Sequence, residues 1–103
     1  MGGKKKQPNK NDPEAIKEAG NKAFMARNFQ EAIKQYTLAI EVASDSPSPI
    51  YFANRANAYL ELKQYNECLE DCNQAISIDP AYTKSYYRKA KAFYLLDRLL
   101  EAI

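Results

Sequence analysis

The chain has 103 residues, 46% of them hydrophobic and 27% charged, with a formal net charge of +2. That is one globular domain's worth of sequence, and no apolar run approaches the roughly 20 residues of a membrane helix. Histidine is absent and the only glycines are Gly2, Gly3 and Gly20. The commonest general base, the commonest metal ligand and any glycine-rich phosphate loop are thereby missing, which points to a binding module rather than an enzyme.

Residues 1–12 carry Lys4, Lys5, Lys6 and Lys10 against Asp12, net +3. The other 91 residues hold 11 basic and 12 acidic side chains, net −1. This reads as a solvated, disordered basic tail on a near-neutral body, not as a nucleic-acid-binding domain, whose excess charge would lie on the folded part. Polar residues follow the lysine cluster, so no signal peptide is visible.

The first helix is predicted over 13–26, with Asp12 as N-cap and Pro13 in its first turn. The second spans 29–43, where Phe29, Ala32, Ile33, Tyr36, Ala39 and Ile40 recur at steps of three and four. Such a stripe marks one apolar helix face. Ser46-Pro47 and Ser48-Pro49 supply turn and cap chemistry, and a third helix follows over 49–62. The fourth, 65–78, repeats the stripe through Tyr65, Cys68, Leu69, Cys72, Ala75 and Ile76. Asp79-Pro80 closes it. A fifth helix is expected over 82–96 and a sixth from 98 onward, with a break near Asp97-Arg98.

These helices come in copies. Gly20-Asn21-Lys22-Ala23-Phe24, Ala56-Asn57-Ala58-Tyr59-Leu60 and Ala90-Lys91-Ala92-Phe93-Tyr94 align. So do Phe29-Gln30-Glu31-Ala32-Ile33, Tyr65-Asn66-Glu67-Cys68-Leu69 and Leu99-Leu100-Glu101-Ala102-Ile103. Both sets give steps of 36 and then 34 residues, the signature of stacked helical hairpins that cannot bury their apolar faces alone. Gly20, Ala56 and Ala90 fall at one position, and Ala32, Cys68 and Ala102 at another. Small side chains there allow close helix approach, with Phe29 and Tyr65 filling the adjacent space. Cys68 and Cys72 are too few for a structural zinc and have no distant partner. They read as buried thiols of a reducing compartment, which together with the missing targeting signals suggests a cytoplasmic protein.

The pattern resembles the tetratricopeptide repeat family across residues 13–103. The resemblance implies an all-α fold: a right-handed superhelical stack of antiparallel helix pairs, about two and a half repeats, at roughly 13–46, 49–80 and 83–103 with the third truncated. The chain ends in the first turns of the sixth helix. Apolar surface on the fifth should then be exposed, which predicts reduced stability and a tendency to self-associate.

In that family the first helix of each pair lines the concave face. Lys17 and Asn21 lie four apart on the first helix, Lys84 and Arg88 four apart on the fifth, and Asn54 on the third between them. All five are hydrogen-bond donors, a set suited to carboxylates. The segments Lys17–Asn21, Phe52–Arg55 and Lys84–Lys89 resemble the carboxylate clamp of co-chaperone tetratricopeptide domains. The resemblance implies a partner: the C-terminal EEVD tails of cytosolic heat-shock chaperones of the seventy and ninety kilodalton classes. Phe24, Asn57, Leu60 and Lys91 are candidates for contacts upstream of the terminal carboxylate, and Tyr86 or Tyr87 for a further contact. No cofactor, metal or small-molecule substrate is implied. Two other readings fit the same repeats. One is a structural scaffold subunit that does not use the clamp, its fifth helix covered by a partner. The other is the regulatory segment of a longer enzyme, as in family members fused to phosphatases and prolyl isomerases.

Overall fold

The structure, a computed structural model, describes residues 12–102. Over them the chain forms five helices: α1 (Pro13–Met25), α2 (Phe29–Ala43), α3 (Pro49–Glu61), α4 (Tyr65–Ile78) and α5 (Thr83–Ala102). Apart from Asp12, the basic tail lies outside the described residues, as does Ile103.

The local chemistry of the helix starts is as the sequence predicts. Asp12 Oδ1 accepts from the Glu14 amide at 3.0 Å and Ser48 Oγ from the Ile50 amide at 3.1 Å, each with proline next in the chain. Inside each hairpin one residue takes a left-handed conformation, Arg27 and Lys63, both at φ 63°. That reverses the chain between paired helices. Asn28 then caps α2 by accepting from the Glu31 amide.

Each helix packs on the next in sequence, and α3 also touches α1 and α5. Ile16, Ala39 and Tyr51 form one core layer, and Ala32, Tyr36 and Ala58 another. Further along the stack come Phe52, Ala53 and Ala75, then Ala56, Leu60, Cys68, Cys72 and Ala92. Both cysteines are free and fully buried. The small-residue positions act as expected in the first two copies: Gly20, Ala32, Ala56 and Cys68 are all buried.

The third copy departs from expectation. The predicted break at Asp97-Arg98 and the sixth helix do not form; α5 continues unbroken from Thr83 to Ala102. The two earlier reversals each place a residue at positive φ, a cost of about 1–2 kcal/mol. The helix that follows recovers it by burying a full stripe. At Asp97 and Arg98 the backbone stays helical, and neither residue takes a positive φ. Arg98 also stands where Asn28 caps α2, and arginine has no acceptor for an orphan amide. Among the described residues no helix packs on that side, and Ala90 and Ala102 are exposed rather than buried. So are Phe93, Tyr94, Leu99 and Leu100, at 52–61%, the open apolar surface the sequence predicts for α5.

Candidate functional site

The first helix of each pair contributes to one groove, which holds two adjoining cavities. The first, about 290 Å³, is lined by Asn21, Phe24 and Met25 of α1, Asn54 and Asn57 of α3, and Tyr36 of α2. The second, about 490 Å³, is lined by Asn57 and Leu60 of α3 and by Thr83, Lys84, Tyr87, Arg88 and Lys91 of α5. Asn57 is common to both. Eight of the nine side chains selected from the sequence therefore meet in one continuous groove. The ninth, Lys17, lines neither cavity.

Periodicity delivers these residues. Asn21, Phe24 and Met25 lie within one turn of α1. Thr83, Lys84, Tyr87, Arg88 and Lys91 recur at three- and four-residue steps on α5. The asparagines are then oriented by tertiary contacts. The Tyr36 hydroxyl donates to Asn21 Oδ1 at 2.6 Å, and Asn54 Nδ2 donates to the same oxygen at 3.2 Å. With its oxygen doubly engaged, Asn21 has its amide N–H groups left to donate. Tyr36 is only 2% exposed and burial pushes its phenol up to about 12, so it remains a donor throughout the neutral range. The apolar stripe of α2 places Tyr36 in the core and carries no sign of the bond its hydroxyl makes to Asn21. Its second role was signalled only by the small residue Gly20 in the facing helix. Met25 and Thr83 were also missed as lining residues.

At the α5 end the groove is cationic. Lys84, Arg88 and Lys91 project into one cavity, and Arg88 Nη1 is buried with no hydrogen-bond partner among the described residues. A buried, unpaired guanidinium nitrogen is costly unless an anion completes it. At the other end, Lys17 Nζ lies 2.9 Å from Glu14 Oε1 and 3.5 Å from Glu18 Oε2. Glu14 is in turn held by the Tyr51 hydroxyl, which donates to its Oε2 at 2.6 Å.

The Tyr51 and Lys17 contacts hold the Glu14 carboxyl below its ordinary value of 4.5. A depressed folded value means that the stabilisation is complete above the unfolded value and is lost as pH falls through the folded one. Tyr51→Phe removes the larger cause. Between roughly pH 5 and 3 the variant should therefore lose stability less steeply than the parent chain, in thermal or urea melts taken across that range. Equal slopes would show that the hydroxyl does not hold the carboxylate.

A protein-family model described as serine/threonine-protein kinase BSK1-like, TPR repeats, matches residues 6–90. The chain belongs to the tetratricopeptide repeat family. Among curated tetratricopeptide relatives, it is 43% identical over 91 residues to the Hsp70/Hsp90 co-chaperone CNS1 of Saccharomyces cerevisiae, covering 86% of this chain and 24% of that protein. It is 44% identical over 89 residues to the heat shock protein sti1 homolog of Schizosaccharomyces pombe, covering 82% of this chain and 15% of that one. The chain thus spans a quarter or less of these relatives' lengths. Among solved tetratricopeptide structures, the second TPR of Spaghetti (RPAP3) bound to HSP90 peptide SRMEEVD superposes with a TM-score of 0.79 at 38% identity, covering 90% of this chain and 84% of that one. The second TPR domain of human RPAP3, in complex with HSP70 peptide SGPTIEEVD, gives 0.75 at 38% identity over 84% of this chain and 71% of that one. No helix among the described residues is long and apolar enough to cross a membrane.

Proposed function

We propose that the groove binds the C-terminal EEVD-type tail of heat-shock chaperones of the seventy and ninety kilodalton classes, and that the chain serves as a cytosolic co-chaperone adaptor. The observation that carries this reading is the cationic cavity of Lys84, Arg88 and Lys91 with its unpartnered Arg88 nitrogen, continuous with an amide-lined cavity at Asn21 and Asn54. A chain terminus brings a carboxylate that internal peptide lacks, and its terminal Asp brings a second. Lys17, Asn21, Asn54, Lys84 and Arg88 are the carboxylate donors. Phe24, Asn57, Leu60 and Lys91 meet the residues upstream. The binding unit in this reading is residues 13–103, preceded by the basic tail of residues 1–12. The peptide complexes of the similar solved domains support the same partner class.

Calorimetric titration with a short peptide ending in EEVD, beside its C-terminally amidated form, tests this directly. The free acid should bind with an affinity that falls with salt. Amidation, or Arg88→Ala, should each weaken it by about tenfold or more, the scale of one charge-assisted hydrogen bond. Equal binding of acid and amide would overturn the reading. The scaffold alternative draws on the open apolar face of α5 at Phe93, Tyr94, Leu99 and Leu100; it becomes the better account if a folded sample binds neither peptide.

A further inference from the structure

Four of the five carboxylate donors line the groove, whereas Lys17 does not. Its ammonium is already committed to carboxylates of its own helix, Glu14 at 2.9 Å and Glu18 at 3.5 Å, and its side chain is only 15% exposed. The Glu14 side chain is 63% exposed but does not swing freely. Its second oxygen is fixed by the Tyr51 hydroxyl reaching from α3 at 2.6 Å, so the carboxylate is held on the first turn of α1 from two sides. The pairing is the same chemistry that a peptide terminus would bring: a carboxylate on a lysine ammonium.

We infer that Glu14 is a built-in competitor of the ligand, a tethered carboxylate that occupies Lys17 and so lowers the groove's affinity for a carboxylate tail. This rests on the peptide-binding reading above and adds a residue to it. Binding then involves an exchange. Lys17 leaves Glu14 for the incoming carboxylate, and Glu14 keeps its Tyr51 partner but loses its cation. Because one ion pair replaces another, Lys17 adds less to affinity than its charge alone suggests, and the Glu14–Tyr51 tether sets how much less.

A double-mutant cycle separates this from simple repulsion of an acidic peptide. Glu14→Gln keeps the side chain's shape and its contact with Tyr51 but removes the charge that holds Lys17 most closely, leaving it only the longer Glu18 contact. It should tighten binding of the EEVD peptide about two- to fivefold, the range of partly exposed ion pairs. In a Lys17→Met background, where peptide binding is already weaker, the same substitution should change nothing. An equal gain in both backgrounds would mean that Glu14 acts only through its charge, and the inference falls. No gain in either, with the parent chain still binding, also overturns it and leaves the peptide-binding function standing. Absence of binding by every folded variant overturns both. A second readout avoids affinity altogether: the Glu14 carboxyl, followed by NMR titration, should move up toward its ordinary value when saturating peptide removes Lys17. An unchanged value in the complex would show that Lys17 never leaves.

Discussion

Asp71→Ala should destabilise the domain by about 3 kcal/mol and lower Tm by more than about 10 °C. Asp71 is 3% exposed and sits under Arg55, whose Nε and Nη2 donate to its two oxygens at 2.7 and 2.8 Å. The remaining terminal nitrogen donates to Thr37 Oγ1 at 3.0 Å, and the guanidinium lies against the rings of Phe52 and Tyr59. One cation therefore ties α2, α3 and α4 together. Burial pushes the Asp71 carboxyl up while Arg55 opposes the shift, and the Asp71 contact in turn holds the guanidinium charged against its own burial. The pair is accordingly expensive to split and cheap to replace. Removing Asp71 alone leaves a half-buried guanidinium with two donors unmatched. Arg55→Met combined with Asp71→Leu should recover most of the loss. Thr37→Val, which removes a single bond, should cost about 1 kcal/mol. Thermal melts of the four chains decide the matter, and an Asp71→Ala chain melting with the parent would refute it.

Gly20→Ala should lose both stability and peptide binding, although alanine is the better helix former. A methyl at Gly20 would sit 2.5 Å from Tyr36 Cε1 and 2.7 Å from Cδ1. Helix propensity favours alanine by about 1 kcal/mol, whereas overpacking a buried ring costs about 1–3 kcal/mol. The ring has little freedom to yield, because it is buried among Ala32 and Ala58 and its hydroxyl is fixed to Asn21. An approach of 2.5 Å to a ring held at both ends puts the cost at about 2–3 kcal/mol, so the expected net loss is about 1–2 kcal/mol. Any movement that relieves the clash also withdraws the hydroxyl that orients Asn21, so the EEVD peptide should bind more weakly. Tyr36→Phe separates the two effects. It keeps the packing and loses only the hydroxyl's bond, so it should cost about 1 kcal/mol, as Thr37→Val does, while leaving Asn21 held by Asn54 alone and weakening peptide binding. Gly20→Ala that melts higher and binds equally well would show that the helices can part without cost.

The sequence by itself determined the first four helices, the start of the fifth, their pairing into hairpins and most of the residues that share the groove. Those features are local or periodic. Asp12-Pro13 and Ser48-Pro49 set the starts of α1 and α3, and apolar steps of three and four set the buried faces. The same 3.6-residue period carries Asn21, Asn54, Lys84 and Arg88 to one side of the stack. The tertiary structure decided which groups are already spoken for. Asn21 is claimed by Tyr36, Arg55 by Asp71 and Glu14 by Tyr51, while a nitrogen of Arg88 is left without a partner among the described residues. Periodicity fixes the face on which a side chain lies, but not the distance at which a group on another helix meets it. Hydrogen bonds and ion pairs depend on that distance within a few tenths of an ångström. Tertiary packing likewise decided the fate of the sixth helix. The break at Asp97-Arg98 was legible as the third member of a series. The reversals at Arg27 and Lys63 take positive φ, whereas α5 runs straight through to Ala102.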